Sequence, residues 1–407
     1  MRKKAIEPDQ DWLVAIRRDL HRHPELPYRE KRTSEKIAAV LGELGYHVRR
    51  GVAQTGVVAT LGNQERPCLG FRADMDALPI QEPETRLNAP YRSVHKGVMH
   101  ACGHDANVTI MLGVARVLAE NTQFLDTSKI CVKFIFQPAE ERGAGARRMM
   151  EEGVLDNPKP MAILAGHLFP NLEVGSVGLS DSLSHASADS FRIKVIGRGG
   201  HGAYPHLCRD PIVAAGCLIT QLQAIVSRRI DPLDAAVITV GRIAGGSAPN
   251  VIPAEVELEG TIRALREETR QSLWDGIRAV AAACELGFEV TCATEREEGY
   301  PPCVNDVEVV KFLRKVCSDV AGVRRVQDLE PSMGAEDFSY YAAVIPSAIL
   351  RLGCANRAAG ICWNPKDESV IGLHSPDFDI DEKVLAIGVK IFTHAVGRAR
   401  DLIYLAD

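Results

Sequence analysis

Between about residues 186 and 298 the sequence follows a pattern of strands and helices that differs from the pattern on either side. The order is strand, helix, two strands, helix and strand, in the segments "SFRIKVIG", "DPIVAAGCLITQLQAIVSRR", "AAVITVGRI", "AEVELEGTIRA", "REETRQSLWDGIRAVAAACE" and "GFEVTCAT". A β-α-β-β-α-β order of this kind forms a complete small domain by itself. The sequence therefore predicts a small domain inserted into a larger one.

The flanking segments, 1–185 and 299–407, alternate between helical and strand-like patterns, which is typical of an α/β sheet covered by helices. The first predicted helix has an apolar face made by Trp12, Leu13, Ile16 and Leu20. The second is predicted to be capped near Thr33 or Ser34. At 407 residues the chain is longer than a single core normally supports. We predict an α/β fold with a sheet flanked by helices and an inserted domain at 186–298.

Composition excludes several classes of partner. A formal net charge of -5 provides no basic surface for nucleic acid or an anionic membrane. No apolar run reaches the length of a membrane span, and the opening "MRKKAIEPDQ" leads into no apolar signal segment. The 11 cysteines contain no C-x-x-C pair, which favours reduced thiols over disulfides or a zinc ribbon. We expect a cytoplasmic protein.

Gly197, Gly199 and Gly202 match the G-x-G-x-x-G spacing of a dinucleotide-binding turn, which would indicate an oxidoreductase. That turn requires a helix beginning at the third glycine, but Pro205 follows instead. The next strand also ends in Arg242 and glycines rather than an acidic residue. The spacing alone therefore gives weak support for a dinucleotide, and His201 and His206 remain to be explained.

Histidine, cysteine and glutamate occur together at the ends of predicted strands, in "HACGHD", "QPAEE", "AGHLFP" and "GLHSPDFDIDE". Cys102 and His104 are two residues apart, so they can point to the same side of an extended segment. Glu140 and Glu141 project differently, so one can bind a metal while the other transfers protons. Each residue taken singly has an ordinary structural explanation, but the four clusters together predict a site for a borderline-soft ion such as zinc, with cobalt, nickel or manganese as alternatives.

Other polar residues receive supporting roles. Asp74 and Asp76, at the end of another predicted strand, are expected to hold ligands or a turn rather than to bind metal directly. Six histidines in polar or terminal helical contexts, away from these clusters, are expected to be structural: His21, His23, His47, His95, His185 and His394.

The ordered motifs "HRHPEL", "FRADMDALPI", "HACGHD", "QPAEE", "GRGGHGAYPH", "DPIVAA", "APNVIP", "GTIRA", "GAEDFSYY" and "LHSPDFDIDE" extend over nearly the whole chain. They resemble the motifs of the bimetal aminoacylase and carboxypeptidase superfamily. The resemblance is to the branch that contains hippurate hydrolase, plant auxin-conjugate amidohydrolases and N-acyl amino acid amidohydrolases. It implies a zinc-exopeptidase-like catalytic domain with a mixed sheet, interrupted by a lid that dimerises.

The resemblance also implies residue roles. Two divalent metal ions would be bound by Cys102, His104, Glu141, His167 and His374. Glu140 would be the general acid/base, and His201 would be a lid histidine that stabilises the oxyanion. Asn250 and Arg263 match lid positions that would hold the carboxylate of the substrate.

The reaction implied is hydrolysis of the amide bond of aromatic or aliphatic N-acyl L-amino acids, giving a carboxylic acid and a free amino acid. Alternatives are a metallocarboxypeptidase that acts on short peptides, a dinucleotide-dependent oxidoreductase and a non-catalytic metal-binding relative. The last would have lost Glu140 or a ligand, whereas all are present. Two features depart from the family pattern: Asn107 stands where relatives often have histidine, and residues 354–372 form a longer segment.

Overall fold

The computed structural model describes residues 7–85, 87–364 and 368–406. The first six residues of the opening segment, and positions 365–367 of the long segment before His374, lie outside that range. The chain divides into two compact units. The large unit comprises Met1–Ser182, Val304–Glu330 and Tyr340–Asp407, and the inserted unit comprises Leu183–Cys303 and Pro331–Ser339.

The strands and helices are numbered in chain order. The first part of the large unit contains β1 (His47–Val52), β2 (Gly56–Leu61), β3 (Cys68–Asp74), β4 (Cys131–Gln137), β5 (Pro160–Glu173) and β6 (Ser176–Leu179), with α1 (Gln10–Arg22), α2 (Lys31–Glu43), α3 (His104–Glu120), α4 (Gln123–Ser128) and α5 (Gly145–Glu151). The inserted segment contains β7 (Leu183–His185), β8 (Ala188–Ile196), β9 (Gly200–His201), β10 (Ala236–Gly245), β11 (Val251–Ile252), β12 (Glu255–Ala264) and β13 (Thr291–Tyr300), with α6 (Pro211–Arg229) and α7 (Glu267–Phe288). The remainder contains β14 (Cys303–Val304), β15 (Arg325–Asp328), β16 (Ser347–Ala355), β17 (Trp363–Asn364) and β18 (Ser369–Val370), with α8 (Val307–Ser318), α9 (Ser339–Ala342) and α10 (Lys383–Arg398).

The large unit is built on an eight-stranded mixed sheet in the order β1-β2-β4-β3-β5-β16-β6-β15. Its central strands β4, β3, β5 and β16 are parallel. Strands β1 and β2 pair antiparallel with their neighbours, and β6 pairs antiparallel with β16 but parallel with β15. Helix α3 packs against α1 and α10 and contributes to the main apolar core. The predicted class, a mixed sheet flanked by helices, is confirmed. Because parallel strands end at one edge of the sheet, that edge collects the residues that follow β3, β4 and β5.

Helix α2 begins earlier than the sequence predicted. It starts at Lys31, so Thr33 and Ser34 lie inside its first turn and are buried there. The prediction of a local cap at Thr33 or Ser34 is wrong, because the carboxylate of Glu25 accepts hydrogen bonds from the backbone N–H groups of Arg32 and Thr33 at 3.1 and 2.9 Å. A residue outside the helix therefore replaces the N-cap side chain.

The inserted unit contains a four-stranded antiparallel sheet in the order β10-β12-β8-β13. Phe191, Ile193 and Val195 alternate along β8 and point into a second core, which α6 and α7 complete. The β-α-β-β-α-β order is the one predicted. The unit begins at Leu183 rather than 186 and ends at Cys303 rather than 298. The unit also includes the later segment Pro331–Ser339. This segment is joined to β7 by a hydrogen bond from Ser332 N to Ser184 O at 2.8 Å.

The glycines at 197, 199 and 202 do not form a dinucleotide-binding turn. The chain passes through β9 and a short 3-10 helix before α6 begins at Pro211, so no helix begins at Gly202. A side chain at Gly199 would approach Ile252 O to 2.6 Å, so the close packing at this position favours glycine. These glycines instead allow two backbone segments to approach closely, and the oxidoreductase alternative loses the support of the glycine spacing.

Within the part of the chain that the structure describes, one helix, α6, is long and apolar enough by length and composition to cross a membrane. A single helix of this kind is weak evidence for a membrane span, because the core helix of a globular domain passes the same test. Here the residues on one face of α6 belong to the core of the inserted unit: Ala214, Ala215, Leu218, Leu222 and Ile225.

Candidate metal centre

The residues predicted to bind metal converge at the carboxyl edge of the central strands of the large unit. Glu140 and Glu141 follow β4, and His167 lies in β5. Strand β3 lies between β4 and β5 and pairs parallel with both. Cys102 and His104 lie at the start of α3. His374 comes from a segment more than 200 residues further along, and its backbone N–H donates to Ala101 O at 2.8 Å, next to Cys102.

Two of the groups of candidate ligand atoms share Cys102. Cys102, His104 and His167 offer atoms that lie within 4.8 Å of one another, and so do Cys102, Glu141 and His374. The Cys102 Sγ to His167 Nε2 distance is 3.6 Å, and the His374 Nε2 to Glu141 Oε1 distance is 3.2 Å. Two overlapping groups with a common thiol can hold two neighbouring ions.

The chemistry of this cluster fits metal binding. Among the residues that the structure describes, His104 Nε2 is buried without a hydrogen-bond partner, and it lies 4.0 Å from Glu141 Oε1. Buried polar atoms are normally hydrogen-bonded, so such an arrangement indicates a missing ligand. Burial raises the pKa of the Cys102 thiol well above its usual value. A divalent ion would favour the thiolate, and the sulfur, nitrogen and oxygen donors suit a borderline-soft ion such as zinc.

Asp76 accepts hydrogen bonds from His104 and from the backbone of both Glu140 and Glu141. His104 Nδ1 donates to Asp76 O at 2.8 Å, which fixes the tautomer that leaves Nε2 free for a metal. The two carboxylate oxygens of Asp76 accept from the backbone N–H groups of Glu140 and Glu141, each at 3.0 Å. The contacts therefore agree with a supporting role for Asp76 rather than a ligand role.

Asp74 is held beside His104 by two donors. Arg72 donates to its Oδ2 at 2.6 Å and Asn107 Nδ2 donates to its Oδ1 at 2.8 Å. Asp74 Oδ1 lies 3.8 Å from His104 Nε2. Burial acts to raise the pKa of Asp74, but His104 and Arg72 outweigh it and the net pKa is lowered. Asn107, the departure from the family pattern, thus still fixes a carboxylate beside a candidate ligand.

A second buried polar cluster surrounds Asp105 in the first turn of α3, and we did not predict it from the sequence. Asp105, which follows His104, forms an ion pair with Arg17 at 2.9 Å and contacts His21 Nδ1 at 2.7 Å. His21 Nε2 is 3.2 Å from Glu82. Burial and Arg17 act to lower the pKa of His21, but Asp105 and Glu82 outweigh them and the net pKa is raised. His21, which the sequence places in an ordinary helical context, is fully buried within these contacts.

The other predicted site residues, one catalytic and two substrate-binding, belong to the inserted unit. His201 is exposed and pairs with Val251 in the short β9–β11 ladder. Gly202 N donates to Asn250 O at 2.8 Å, so His201 and Asn250 lie on neighbouring segments. Arg263 is half-buried on β12. The structure brings His201 and Asn250 together within this unit and places Arg263 on a separate strand.

Comparison with known proteins decides the family. The sequence model described as Peptidase family M20/M25/M40 matches residues 70–398. The chain belongs to this family. It is 38% identical over 399 residues to IAA-amino acid hydrolase ILR1-like 4 of Arabidopsis thaliana, covering 97% of this chain and 87% of the relative. It is 39% identical over 376 residues to N-acetyl-L-cysteine deacetylase of Bacillus subtilis, covering 92% and 84% respectively.

Two further M20-family comparisons bear on the site. A thermostable carboxypeptidase (carboxypeptidase 2) of Saccharolobus solfataricus is 36% identical, with 95% of each chain covered. The crystal structure of a Bacillus subtilis protein described as a dinuclear metal-binding peptidase of the M20 family is similar, with a TM-score of 0.81 and 32% identity over 96% of this chain and 98% of that one. The chain is therefore an M20-family hydrolase, and its relatives support metal-dependent amide hydrolysis as its reaction class.

Proposed function

We propose that this M20-family hydrolase cleaves the amide bond of N-acyl L-amino acids and releases a carboxylic acid and a free amino acid. The observation that carries the proposal is the pair of ligand groups sharing Cys102, with the buried carboxylate of Glu140 beside them. Relatives named as an IAA-amino acid hydrolase and an N-acetyl-L-cysteine deacetylase support an acylated amino acid as the substrate.

In the proposed site two divalent ions, for which we propose zinc, would be held by Cys102, His104, Glu141, His167 and His374. When bound, such ions would supply a water molecule acidic enough to lose a proton near neutral pH and a Lewis acid for the carbonyl of the substrate. Glu140 accepts the proton of the attacking water and returns it to the nitrogen of the departing amine. His201 stabilises the charge that develops on the carbonyl oxygen. Asn250 and Arg263 hold the carboxylate of the substrate.

A substrate panel tests this proposal directly. The purified, metal-reconstituted protein is assayed with N-acetyl, N-benzoyl and indole-acetyl amino acids and with dipeptides, and release of the free amino acid is measured. We expect at least one N-acyl amino acid to be hydrolysed with a higher kcat/KM than any dipeptide. Hydrolysis of dipeptides alone would support the second candidate, a metallocarboxypeptidase, which the similarity to a thermostable carboxypeptidase favours.

The inserted unit offers a surface for a second copy of the chain. Strand β10 lies at an edge of the four-stranded sheet. Exposed apolar side chains lie on this strand and on the beginning of α6: Val237, Ile243, Ile212 and Val213. An open strand edge beside exposed apolar residues is typical of a protein interface. We propose that two copies associate through this surface to form a homodimer.

His201→Ala is expected to keep the metal ions and the dimer while turnover falls by ~10²-fold or more, the usual cost of losing an oxyanion donor. The imidazole is exposed, and its Nδ1 accepts only the nearby Ala203 N–H at 3.1 Å, so its loss should not disturb the fold. Steady-state kinetics and elemental analysis measure the two effects. Undiminished turnover would make His201 an ordinary surface histidine.

Mixed dimers show whether His201 acts on its own chain or on the partner. An inactive His201→Ala chain is combined with an inactive Glu140→Gln chain. If His201 serves the partner's site, each mixed dimer contains one intact site and activity returns. If it serves its own chain, every site keeps one lesion. Absence of activity in verified mixed dimers would therefore contradict a shared site.

A further inference from the structure

The loop that follows β4 carries Glu140 and Glu141, and its backbone is held by carboxylates. Ala139 N donates to Glu30 Oε1 at 3.0 Å. Glu140 N and Glu141 N donate to the two oxygens of Asp76, also at 3.0 Å each. Three consecutive N–H groups are thus bound by two buried carboxylates that come from different parts of the chain.

The Glu30 side chain binds the loop and does not cap the helix that it precedes. It directly precedes α2, but its side chain makes no capping hydrogen bond there, because Glu25 binds the first N–H groups of that helix. The Glu30 side chain is fully buried and bonds to a residue 109 positions later in the chain. Its second oxygen accepts from Thr55 Oγ1 at 2.7 Å. Burial raises its pKa to about 7.

The same turn touches the loop at a second point. Tyr28 Oη donates to Gly143 O at 2.7 Å. Gly143 has a φ of +114°, and a side chain there would lie 2.6 Å from Tyr28 Cε2, so the ring fits against this glycine only. The two contacts fall on either side of Glu140 and Glu141. Ala139 itself has a φ of +54°, a conformation that a residue with a side chain adopts only when its surroundings impose it.

We propose that Glu30, together with Tyr28, is a positioning residue that fixes the loop so that the Glu140 carboxylate is aimed at the attacking water. This inference rests on the proposed function of Glu140 as general acid/base. Glu30 acts through the backbone N–H of Ala139, the residue that directly precedes Glu140. Misplacement of a catalytic group by about 1 Å can lower the rate by about 10²-fold.

Glu30→Met tests the inference because it removes both acceptor oxygens while keeping the length of the side chain. We expect kcat to fall by about 10- to 100-fold, with KM and metal content within about twofold of wild type. Hydrogen exchange of a peptide covering 137–145 should become faster, since the Ala139 N–H loses its acceptor. Wild-type kcat and wild-type exchange in folded, metal-loaded Glu30→Met would overturn the inference.

Glu30→Gln is the conservative rescue. Its amide oxygen can still accept from Ala139 N and its amide nitrogen can donate to Thr55 Oγ1, so kcat should stay within about threefold of wild type. A Glu30→Gln variant as slow as Glu30→Met would overturn a role that depends on hydrogen-bond geometry. Should Glu30→Met not fold, Tyr28→Phe replaces it: we expect kcat to fall by about threefold or more, and a wild-type kcat would overturn the inference.

Two controls separate this inference from its premises. Glu25→Gln weakens the start of α2 without touching the loop, so we expect a lower melting temperature with kcat within about twofold of wild type. If kcat of Glu25→Gln fell as far as kcat of Glu30→Met, the lower rates would reflect general instability of the protein, and the inference would be overturned. Glu140→Gln is measured alongside: if it is active, the proposed function of Glu140 fails, and if it is inactive while Glu30→Met is fully active, only the positioning role fails.

Discussion

The Glu140→Gln variant is expected to keep its fold and its metal ions while kcat falls by ~10²–10⁴-fold, the typical contribution of a general acid/base group. The amide has the size of the carboxylate, and the backbone N–H of residue 140 can still donate to Asp76 at 3.0 Å. What the amide cannot do is accept a proton from water. Steady-state kinetics on the best substrate of the panel, together with elemental analysis, measure both quantities.

Glu141→Gln is the matched control for that variant, because the two residues are adjacent and both are held by Asp76. Glu141 Oε1 faces His104 and His374 at 4.0 and 3.2 Å, so its replacement should reduce metal content. Excess metal should then restore part of the rate. If Glu140→Gln lost metal and kept its metal-saturated rate instead, the two roles would be assigned the wrong way round.

The sequence located the candidate ligands through four clusters of His, Cys and Glu and through the family resemblance, and two of these clusters adjoin strands of the central sheet. Glu140 and Glu141 follow β4, and His167 lies within β5. Parallel strands end at one edge, so residues distant in sequence meet there. The inserted unit could also be predicted from the sequence. The alternating pattern of β8 and the apolar patterns of its two helices identify a β-α-β-β-α-β order that forms a complete small domain.

The supporting contacts could not be predicted, because they join residues with no local relation in the sequence. Asp76 and Glu140 are 64 positions apart, and Glu30 and Ala139 are 109 apart. For the same reason the start of α2 was misplaced: Thr33 fits a local capping pattern, whereas the N–H group of Thr33 is bound by Glu25 before the helix. His21, in an ordinary helical context, proved to be buried between Asp105 and Glu82.

Removal of the metal ions is expected to have the largest effect of all. The protein is treated with a chelator, and hydrolysis should fall below detection because no residue alone would polarise the carbonyl or activate the water to the same degree. Addition of zinc, cobalt or manganese should restore activity. Cys102→Ser should lower the content of both ions, since Cys102 belongs to both ligand groups, and a serine hydroxyl is a poorer donor than a thiolate.

The most direct test of the account is a titration in which hydrolysis rate and bound metal are measured on the same metal-free sample as ions are added. Metal-free protein should show no detectable hydrolysis, and activity should rise with metal occupancy until about two ions are bound per chain, as expected for the two ligand groups around Cys102. Full activity in rigorously metal-free protein would contradict the central claim that this is a metal-dependent hydrolase.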